Sequence, residues 1–464
     1  MDPLVKMQPD LAFDESLEKI FKFISEKKYF KARDELLKYN EADIAEMFEE
    51  MLDDRDILES TIVIYRLLPK DVSVEVFSYL PSDDQLKIVE GITDAELSYI
   101  VEQLDFDDKI DILPANLVDM ILEKTPKDER RLINTFLNYP DTCAGSLMTP
   151  DYISLQKDMT VEEALAHIKE VGMDAETVYT CYVKDGGRKL AGIVSLSTLV
   201  ISDSQAKIND LMHTDYVWVN VYDDQEDVSE MFKKYGFIAM PVVDKEHRLV
   251  GIITVDDILD VIESETTEDI ELMAGILDFE QSDKEYLDKS VFQHVKARLP
   301  WLMILMVSLM ITGAIISYFE DMLSQVISLV AYMPLLMGTG GNTGTQASTL
   351  IVRGLALDEV DFDDALKVLW KELRISLCIG LILSVLNFTK IMLIDGEAWN
   401  IALTVCISMI LIVAFAKCLG GMVPMLAKKI GADPALMANP VISSLTDTVS
   451  VLIYFLMATL ILGL

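Results

Sequence analysis

The sequence predicts an α-helical membrane protein in which a large acidic cytoplasmic part precedes five transmembrane helices. Three observations support this prediction: an uneven distribution of charge, a series of apolar stretches in the last third of the chain, and an internal repeat before them. The formal net charge of the 464 residues is −38, of which −35 falls in residues 1–296 and −3 in residues 297–464. This acidity excludes nucleic-acid binding through a general basic surface.

Five apolar stretches are each long enough to form a membrane helix, which needs about 20 residues. They are residues 299–319, 322–352, 375–394, 398–416 and 434–464. Basic residues lie before the first stretch and in alternate loops: Lys296, Arg298, Arg353, Lys367, Lys371, Arg374, Lys417, Lys428 and Lys429. Because such residues favour the cytoplasmic side, we expect a cytoplasmic N-terminal half and an external C-terminus. Four crossings, with a shorter third span, are the alternative.

The second stretch contains Pro334 and a glycine-rich run, residues 338–346, that also holds Asn342 and Gln346. Irregular backbone at membrane depth persists only where it lines a cavity or is buried in protein. The run therefore predicts a break in the span beside an ion path. Helix packing through small residues is the alternative, and it explains the glycines but neither Asn342 nor Gln346.

The last stretch carries one carboxylate, Asp447. Because a charge in a bilayer costs about 2.5–3.5 kcal/mol on insertion scales, such residues usually mark an ion path. No Lys or Arg in this stretch offers a partner, so a cation is the expected counter-charge. Oxygen ligands and retained water suit Mg²⁺. Asn439 lies two turns earlier on the same face, and Asp433 precedes the stretch. A carboxylate satisfied by neighbouring hydroxyls is the alternative.

An internal repeat occupies the middle of the chain. LMTPDY (147–152) recurs as LMHTDY (211–216), and LAGIVS (190–195) recurs as LVGIIT (249–254). Each copy predicts the order β-α-β-β-α, and together the copies resemble a pair of CBS domains. The resemblance implies a candidate ATP site near Thr254 and Asp257, since such pairs often hold ribose with Ser/Thr-x-x-Asp. The first copy has Thr198 where the aspartate would stand.

Acidic helical segments flank the repeat. Before it, residues 21–140 predict short helices in a superhelical stack. After it, an acidic helix starts at residue 256, and no basic residue occurs before residue 284. The predicted domains are an acidic helical N-domain (1–140), the tandem CBS domains (141–262), a connecting helix (263–296) and a five-helix pore domain (297–464).

The segments PLLMGTGGNTGTQAS (334–348) and GADPALMANPVISSLTDTVSVLIYF (431–455) closely resemble the MgtE family of bacterial magnesium channels. The resemblance implies a homodimer with a central pore, in which Asp447 recognises hydrated Mg²⁺ and Asn342 and Asn439 line the path. It implies that the connecting helix is a plug. The implied cytosolic Mg²⁺ ligands are Asp257, Asp260, Glu265, Glu268, Asp269, Asp433, Asp224, Glu226, Glu75, Asp107 and Asp111. Thr345 departs from the asparagine that other members often have.

The predicted function is Mg²⁺ uptake across the cell (inner) membrane, gated closed by cytosolic Mg²⁺. We expect no enzymatic activity, because the chain carries neither a phosphate-binding loop nor another catalytic motif. The expected partners are a second copy, lipid and Mg²⁺. Two rival functions remain: a channel for another divalent cation such as Co²⁺ or Mn²⁺, and a membrane-anchored nucleotide sensor in which the CBS pair is the functional part.

Overall fold

The computed structural model describes residues 11–104, 130, 133, 135–140, 142–173, 175–277, 286–287, 289–436 and 439–463. Two compact units divide the chain, Met1–Ile262 and Glu263–Leu464. Two predicted ligands, Asp107 and Asp111, lie outside the described residues.

The first part of the first unit is helical. Its described helices are α1 (Leu11–Ser25), α2 (Tyr29–Leu36), α3 (Glu41–Asp53), α4 (Leu58–Tyr65), α5 (Lys70–Ser78), α6 (Ser82–Gly91) and α7 (Asp94–Gln103). Apolar residues at helical spacing form their common core, since Ile44, Met47, Phe48 and Met51 of α3 are each at most 1% exposed. The predicted stack of short helices is therefore present.

The rest of this unit contains the repeat. Its elements are α8 (Ala144–Leu147), β1 (Tyr152–Gln156), α9 (Val161–Val171), β2 (Thr177–Lys184), β3 (Leu190–Ser195), α10 (Leu196–Ile201), α11 (Ile208–Leu211), β4 (Val219–Asn220), α12 (Gln225–Tyr235), β5 (Ala239–Val243) and β6 (Leu249–Thr254). Each copy forms a three-stranded sheet in which the first two strands are parallel and the last two antiparallel. The predicted β-α-β-β-α order is confirmed.

The two copies exchange backbone contacts. Thr149, which precedes the first sheet, bridges Ile252 of the second sheet, and His213 bridges Ile193 of the first. A Cβ on Gly192 would lie 2.8 Å from the carbonyl oxygen of His213, and Gly251 stands in the same relation to Thr149. The repeated glycine therefore permits each copy to approach the other's sheet.

Long helices dominate the second unit. They follow α13 (Val255–Met273), whose last turns belong to this unit, and are α14 (Val291–Tyr318), the short α15 (Glu320–Gln325), α16 (Ser328–Ala356), α17 (Ala365–Lys390), α18 (Trp399–Lys429) and α19 (Asn439–Leu462). A 3₁₀ turn precedes α17 and a π turn, Ile391–Asp395, extends it.

Four of these helices are long and apolar enough to cross a membrane: Val291–Tyr318, Phe362–Asp395, Trp399–Lys429 and Pro440–Leu462. The remaining long helix, α16, has 29 residues. Helix α16 is less apolar than the other four, because its centre carries the polar run around Asn342 and Gln346, which lowers its mean hydropathy. Five long helices are thus present, and four of them are as apolar as membrane helices usually are.

The direction of the helices supports a crossing by α16. Ser308 and Thr312 of α14 pair with Ser444 and Thr448 of α19 at one constant sequence separation, 136 residues, so α14 and α19 are parallel. If α16 did not cross, the alternating helices α17, α18 and α19 would leave α19 antiparallel to α14.

Contacts of α16 give its own direction. Gly340 contacts Ile412 of α18, and Gly344, four residues later, contacts Ala416, also four residues later. On α19 the order is reversed, because Gly340 contacts Ser450 and Gly344 contacts the earlier residue Ile442. Helix α16 is therefore parallel to α18 and antiparallel to α19. This pattern agrees with five crossings of alternating direction.

Two details of the sequence interpretation are wrong. The run 338–346 does not break the span, because α16 is one continuous helix from Ser328 to Ala356. Lys417 does not lie in a cytoplasmic loop, because it is buried within α18, 3.7 Å from a carboxylate oxygen of Glu372 in α17. Reading spans from apolar stretches alone assigns every charged residue to a loop. Such a reading cannot show that a charged residue within a helix is paired with a residue of another helix.

Candidate ion pathway and cation-sensing carboxylates

Asp447 lies in the third turn of α19 and is half-buried. Its Oδ1 atom lies 3.8 Å from the position that a Cβ would occupy on Gly341 of α16. Within the part of the chain that the structure describes, no hydrogen bond or ion pair holds its carboxylate. The hydroxyl-satisfied alternative considered for this residue therefore finds no support, and the carboxylate remains available to a cation or water.

The glycines of α16 bring the two helices together at this point. A Cβ on Gly340 would lie 2.8 Å from atoms of both Thr446 and Ser450, and one on Gly341 would lie 3.0 Å from the Ser443 hydroxyl. Real Cβ atoms rarely approach so closely, so these positions require glycine for the observed packing. The glycines of the run 338–346 therefore serve close helix packing, which is the alternative that the sequence left open for them.

The polar residues of the same run occupy another face of α16. Asn342 and Gln346 are one turn apart and both are exposed in the single chain. Asn342 directly follows Gly341, the residue beside Asp447, so its amide lies on the neighbouring face of α16. Asn439 is the first residue of α19, and its side chain lies outside the described residues.

A second group of carboxylates surrounds the end of α13. Burial, and after it the charges of Asp433 and Glu268, raise the pKa of Asp269. Asp433 is exposed, and its Oδ1 accepts a hydrogen bond from the Ala435 amide at 2.7 Å. Asp433 and Glu268, two further predicted ligands, therefore lie close enough to Asp269 for their charges to act on it.

Apolar contacts hold this end of α13 in place. Leu272 and Met273 pack against Val352 of α16 and Ala435 of the loop before α19. Beyond the helix, the Leu277 amide donates to the Ala297 carbonyl of α14 at 2.9 Å. The end of α13 that carries these carboxylates thus contacts three other parts of the second unit: α16, the loop before α19, and α14.

The other predicted cytosolic ligands are dispersed. Asp257 accepts a hydrogen bond from the Thr254 hydroxyl at 2.7 Å. Asp224 is the N-cap of α12 and accepts from the Glu226 amide at 2.9 Å. Asp260 and Glu75 are exposed and Glu265, one turn before Asp269 on α13, is half-buried. The described residues contain no group of three or more His, Cys, Asp or Glu side chains arranged to hold a metal ion.

Sequence reasoning missed several polar contacts in the membrane unit. The hydroxyls of Thr312 and Thr448 lie 2.7 Å apart, and Ser444 donates to Ser308 one turn earlier. Only the spacing of Ser308 and Thr312, one turn apart on an otherwise apolar helix, could have indicated them.

Comparison with known proteins agrees with this architecture. Family models match residues 333–457 (MgtE, divalent cation transporter), 39–142 (MgtE intracellular N domain), and 144–202 and 208–264 (CBS domain). The "Magnesium transporter MgtE" of Thermus thermophilus is 37% identical over 414 residues, which cover 87% of this chain and 90% of that protein. The chain belongs to the MgtE family.

Two further MgtE proteins resemble the chain. The "Magnesium transporter MgtE" of Bacillus subtilis is 32% identical over 412 residues, covering 85% of this chain and 90% of that protein. A crystal structure of the cytosolic domain of the Mg²⁺ channel MgtE in complex with ATP is 32% identical, covers 53% of this chain and 99% of that one, and has a TM-score of 0.48.

Proposed function

We propose that this chain carries Mg²⁺ across the cell membrane, that Asp447 recognises the ion, and that cytosolic Mg²⁺ closes the path. Its MgtE relatives are named magnesium transporters, which supports the transport class. The observation that carries the proposal is the Asp447 carboxylate, which lies within the span Pro440–Leu462 without a hydrogen bond or ion pair to any described residue. A cation or water at this carboxylate offsets its cost in the bilayer.

The ligand chemistry favours Mg²⁺. This ion gives up its water reluctantly and binds through one or two carboxylates while keeping several water molecules. Asp447 supplies the carboxylate, and we assign a further oxygen to the amide of Asn342, which is exposed and follows Gly341 in α16. We include Asn439 as a second amide of the path, two turns before Asp447 on the same face of α19. The ion is the substrate here, and the protein supplies orientation and charge.

The path is proposed to form between two copies of the chain. One Asp447 per chain is a weak binding site for a divalent ion, and a two-fold axis would bring a second carboxylate to it. The partner would also cover the exposed polar face of α16 that holds Asn342 and Gln346. Light scattering on the detergent-solubilised chain checks this, and a transporting monomer would contradict it.

Cytosolic carboxylates are the proposed sensor. Two unit charges 4 Å apart repel by about 4 kcal/mol at an effective dielectric constant of 20. Asp269, Glu268 and Asp433 therefore oppose the docking of α13 until a divalent ion neutralises them. The wider proposed sensor also includes Asp257, Asp260, Glu265, Asp224, Glu226, Glu75, Asp107 and Asp111. The net charge of −35 in residues 1–296 opposes a compact cytosolic state in the same way.

ATP is the proposed second ligand, at the Thr254–Asp257 pair of the second repeat. In the first repeat the equivalent positions are Ser195 and Thr198, whose hydroxyls lie 2.8 Å apart. Only the second repeat thus offers a carboxylate to a ribose. Calorimetric titration of the full chain with ATP checks this, and equal affinity in Asp257→Asn would contradict it.

The transport proposal is tested by Mg²⁺ flux into liposomes that contain the purified full chain. Asp447→Asn keeps the size and polarity of the side chain but removes its charge, and we expect flux to fall about ten-fold or more, equal to about 1.4 kcal/mol of lost stabilisation. Asp321→Asn, at an exposed position of α15, is the matched control and should retain flux.

The same assay separates the rival functions. Stronger competition by Co²⁺ or Mn²⁺ than by Mg²⁺ itself would assign another divalent cation. Wild-type flux no greater than that of empty liposomes, together with tight ATP binding, would assign a nucleotide sensor. Undiminished flux in Asp447→Asn would remove this residue from the path.

A further inference from the structure

Helices α14 and α19 are joined by hydroxyl pairs that no other described pair of long helices has. Ser444 donates to Ser308, and Thr312 and Thr448 lie 2.7 Å apart. About two turns further, the ring centroids of Phe319, which directly follows α14, and Phe455 are 4.9 Å apart, at the same separation of 136 residues. The three contacts therefore hold the two parallel helices in one register over about three turns.

Thr448 has a second contact, because its hydroxyl also lies 3.1 Å from the Ser444 carbonyl oxygen of its own helix. Either hydroxyl of the Thr312–Thr448 pair can be the donor, and the pair joins the two helices in both cases. Thr312 is 3% exposed although its immediate neighbours on α14 are exposed, which shows that this hydroxyl faces α19.

These contacts lie next to the proposed ion ligand on α19. Ser443 and Asp447 share the face that contacts Gly341 of α16, and the hydroxyl-bearing Ser444 and Thr448 follow each of them by one residue. One residue corresponds to about 100° around a helix. The glycines of α16 and the hydroxyls of α14 thus contact adjacent faces of α19 and oppose its rotation in both directions.

We propose that Ser308 and Thr312 are positioning residues for Asp447, and that their hydrogen bonds set the rotation of α19 that aims the carboxylate into the Mg²⁺ path. The inference rests on the proposed transport function. Neither hydroxyl touches the ion; both act through the orientation of Asp447.

The test measures Mg²⁺ flux into liposomes as a function of Mg²⁺ concentration. Thr312→Val removes the hydroxyl at nearly constant volume, and Thr312→Ser keeps it. We expect the concentration for half-maximal flux to rise about three-fold in Thr312→Val, which matches one interhelical hydrogen bond in a membrane, and to return towards wild type in Thr312→Ser. Ser317→Ala, an exposed hydroxyl on the same helix, is the control.

A double-mutant cycle separates positioning from general destabilisation. If Thr312 acts through Thr448, Thr312→Val and Thr448→Val together should shift the half-maximal concentration no more than either alone. If Thr312→Val fails to assemble, Ser308→Ala carries the same expectation with a smaller change of volume. A half-maximal concentration equal to that of Ser317→Ala in both would overturn the inference.

The same measurements distinguish this inference from the proposed function. If wild-type liposomes show no Mg²⁺ flux, the proposed function fails and the inference with it. If flux is present and depends on Asp447 but not on Thr312 or Ser308, only the inference fails.

Discussion

At the scale of single residues, the fold removes two carboxylates partly from water but gives them different neighbours. Asp447 has no charged neighbour among the described residues that would hold it, whereas Asp269 lies near Asp433 and Glu268, whose negative charges raise its pKa further. A carboxylate without partners suits recognition of a passing ion. Several carboxylates that repel one another suit a sensor, because a bound cation removes their mutual repulsion and so changes their electrostatic energy more than that of a single carboxylate.

Replacing Asp269 by asparagine tests the sensor. One ligand fewer weakens Mg²⁺ binding, so the internal Mg²⁺ concentration that halves flux should rise several-fold, while flux without internal Mg²⁺ stays at the wild-type level. Because the pKa of Asp269 is raised, lowering the pH protonates it before ordinary carboxylates, and inhibition by Mg²⁺ should weaken in wild type as pH falls. This part of the pH dependence should be lost in Asp269→Asn.

Glu263→Gln is the matched control for this prediction, because Glu263 is an exposed carboxylate of the same helix. Unchanged inhibition by Mg²⁺ in Asp269→Asn, or an equal change in Glu263→Gln, would contradict a specific role for Asp269.

At the scale of elements, a glycine directly after α13 allows the end of this helix to pack closely against α14. Gly275 has a φ of +73°, and a Cβ there would lie 2.2 Å from Cδ1 of Trp301. The indole ring thus packs directly against the backbone of the turn. The acidic end of α13 is therefore in contact with α14 through this turn, and we expect a movement of one to affect the other.

Gly275→Ala should uncouple these helices. The new methyl group is opposed both by the left-handed backbone, at about 1–2 kcal/mol, and by the Trp301 ring. We expect a lower Tm for the purified chain and weaker inhibition of flux by internal Mg²⁺. Gly396→Ala is the control, because Gly396 has a φ of +68° with no atom within 4 Å of its Cβ position. Equal effects in both variants would refute the coupling.

At the scale of the whole molecule, periodicity and composition predict the helical stack, the paired repeats and the five long helices. They predict local features well because each depends on residues close in sequence. The buried pair Lys417–Glu372 and the hydroxyl contact Thr312–Thr448 join residues 45 and 136 positions apart. No local pattern carries that information, and a Ser or Thr in a membrane helix usually bonds its own backbone.

The candidate site was predicted in part. Asp447 stands out because it is charged within an apolar stretch, and the structure places it beside Gly341, the residue that precedes the exposed Asn342. The grouping of Asp269 with Asp433 was not accessible from spacing, since 164 residues separate them; only family resemblance placed both among the ligands. The glycine-rich run misled because a continuous helix with a packed face has the same composition as a broken one.

The reciprocal bridges of the two repeats bear on how this chain can be divided. Thr149 of the first repeat bridges the last strand of the second sheet, and His213 of the second repeat bridges the last strand of the first. A fragment cut between residues 202 and 208 would lose both bridges. Each repeat thus leaves part of its outer strand unpaired when it stands alone, and we expect a fragment with one repeat to be less stable than the pair.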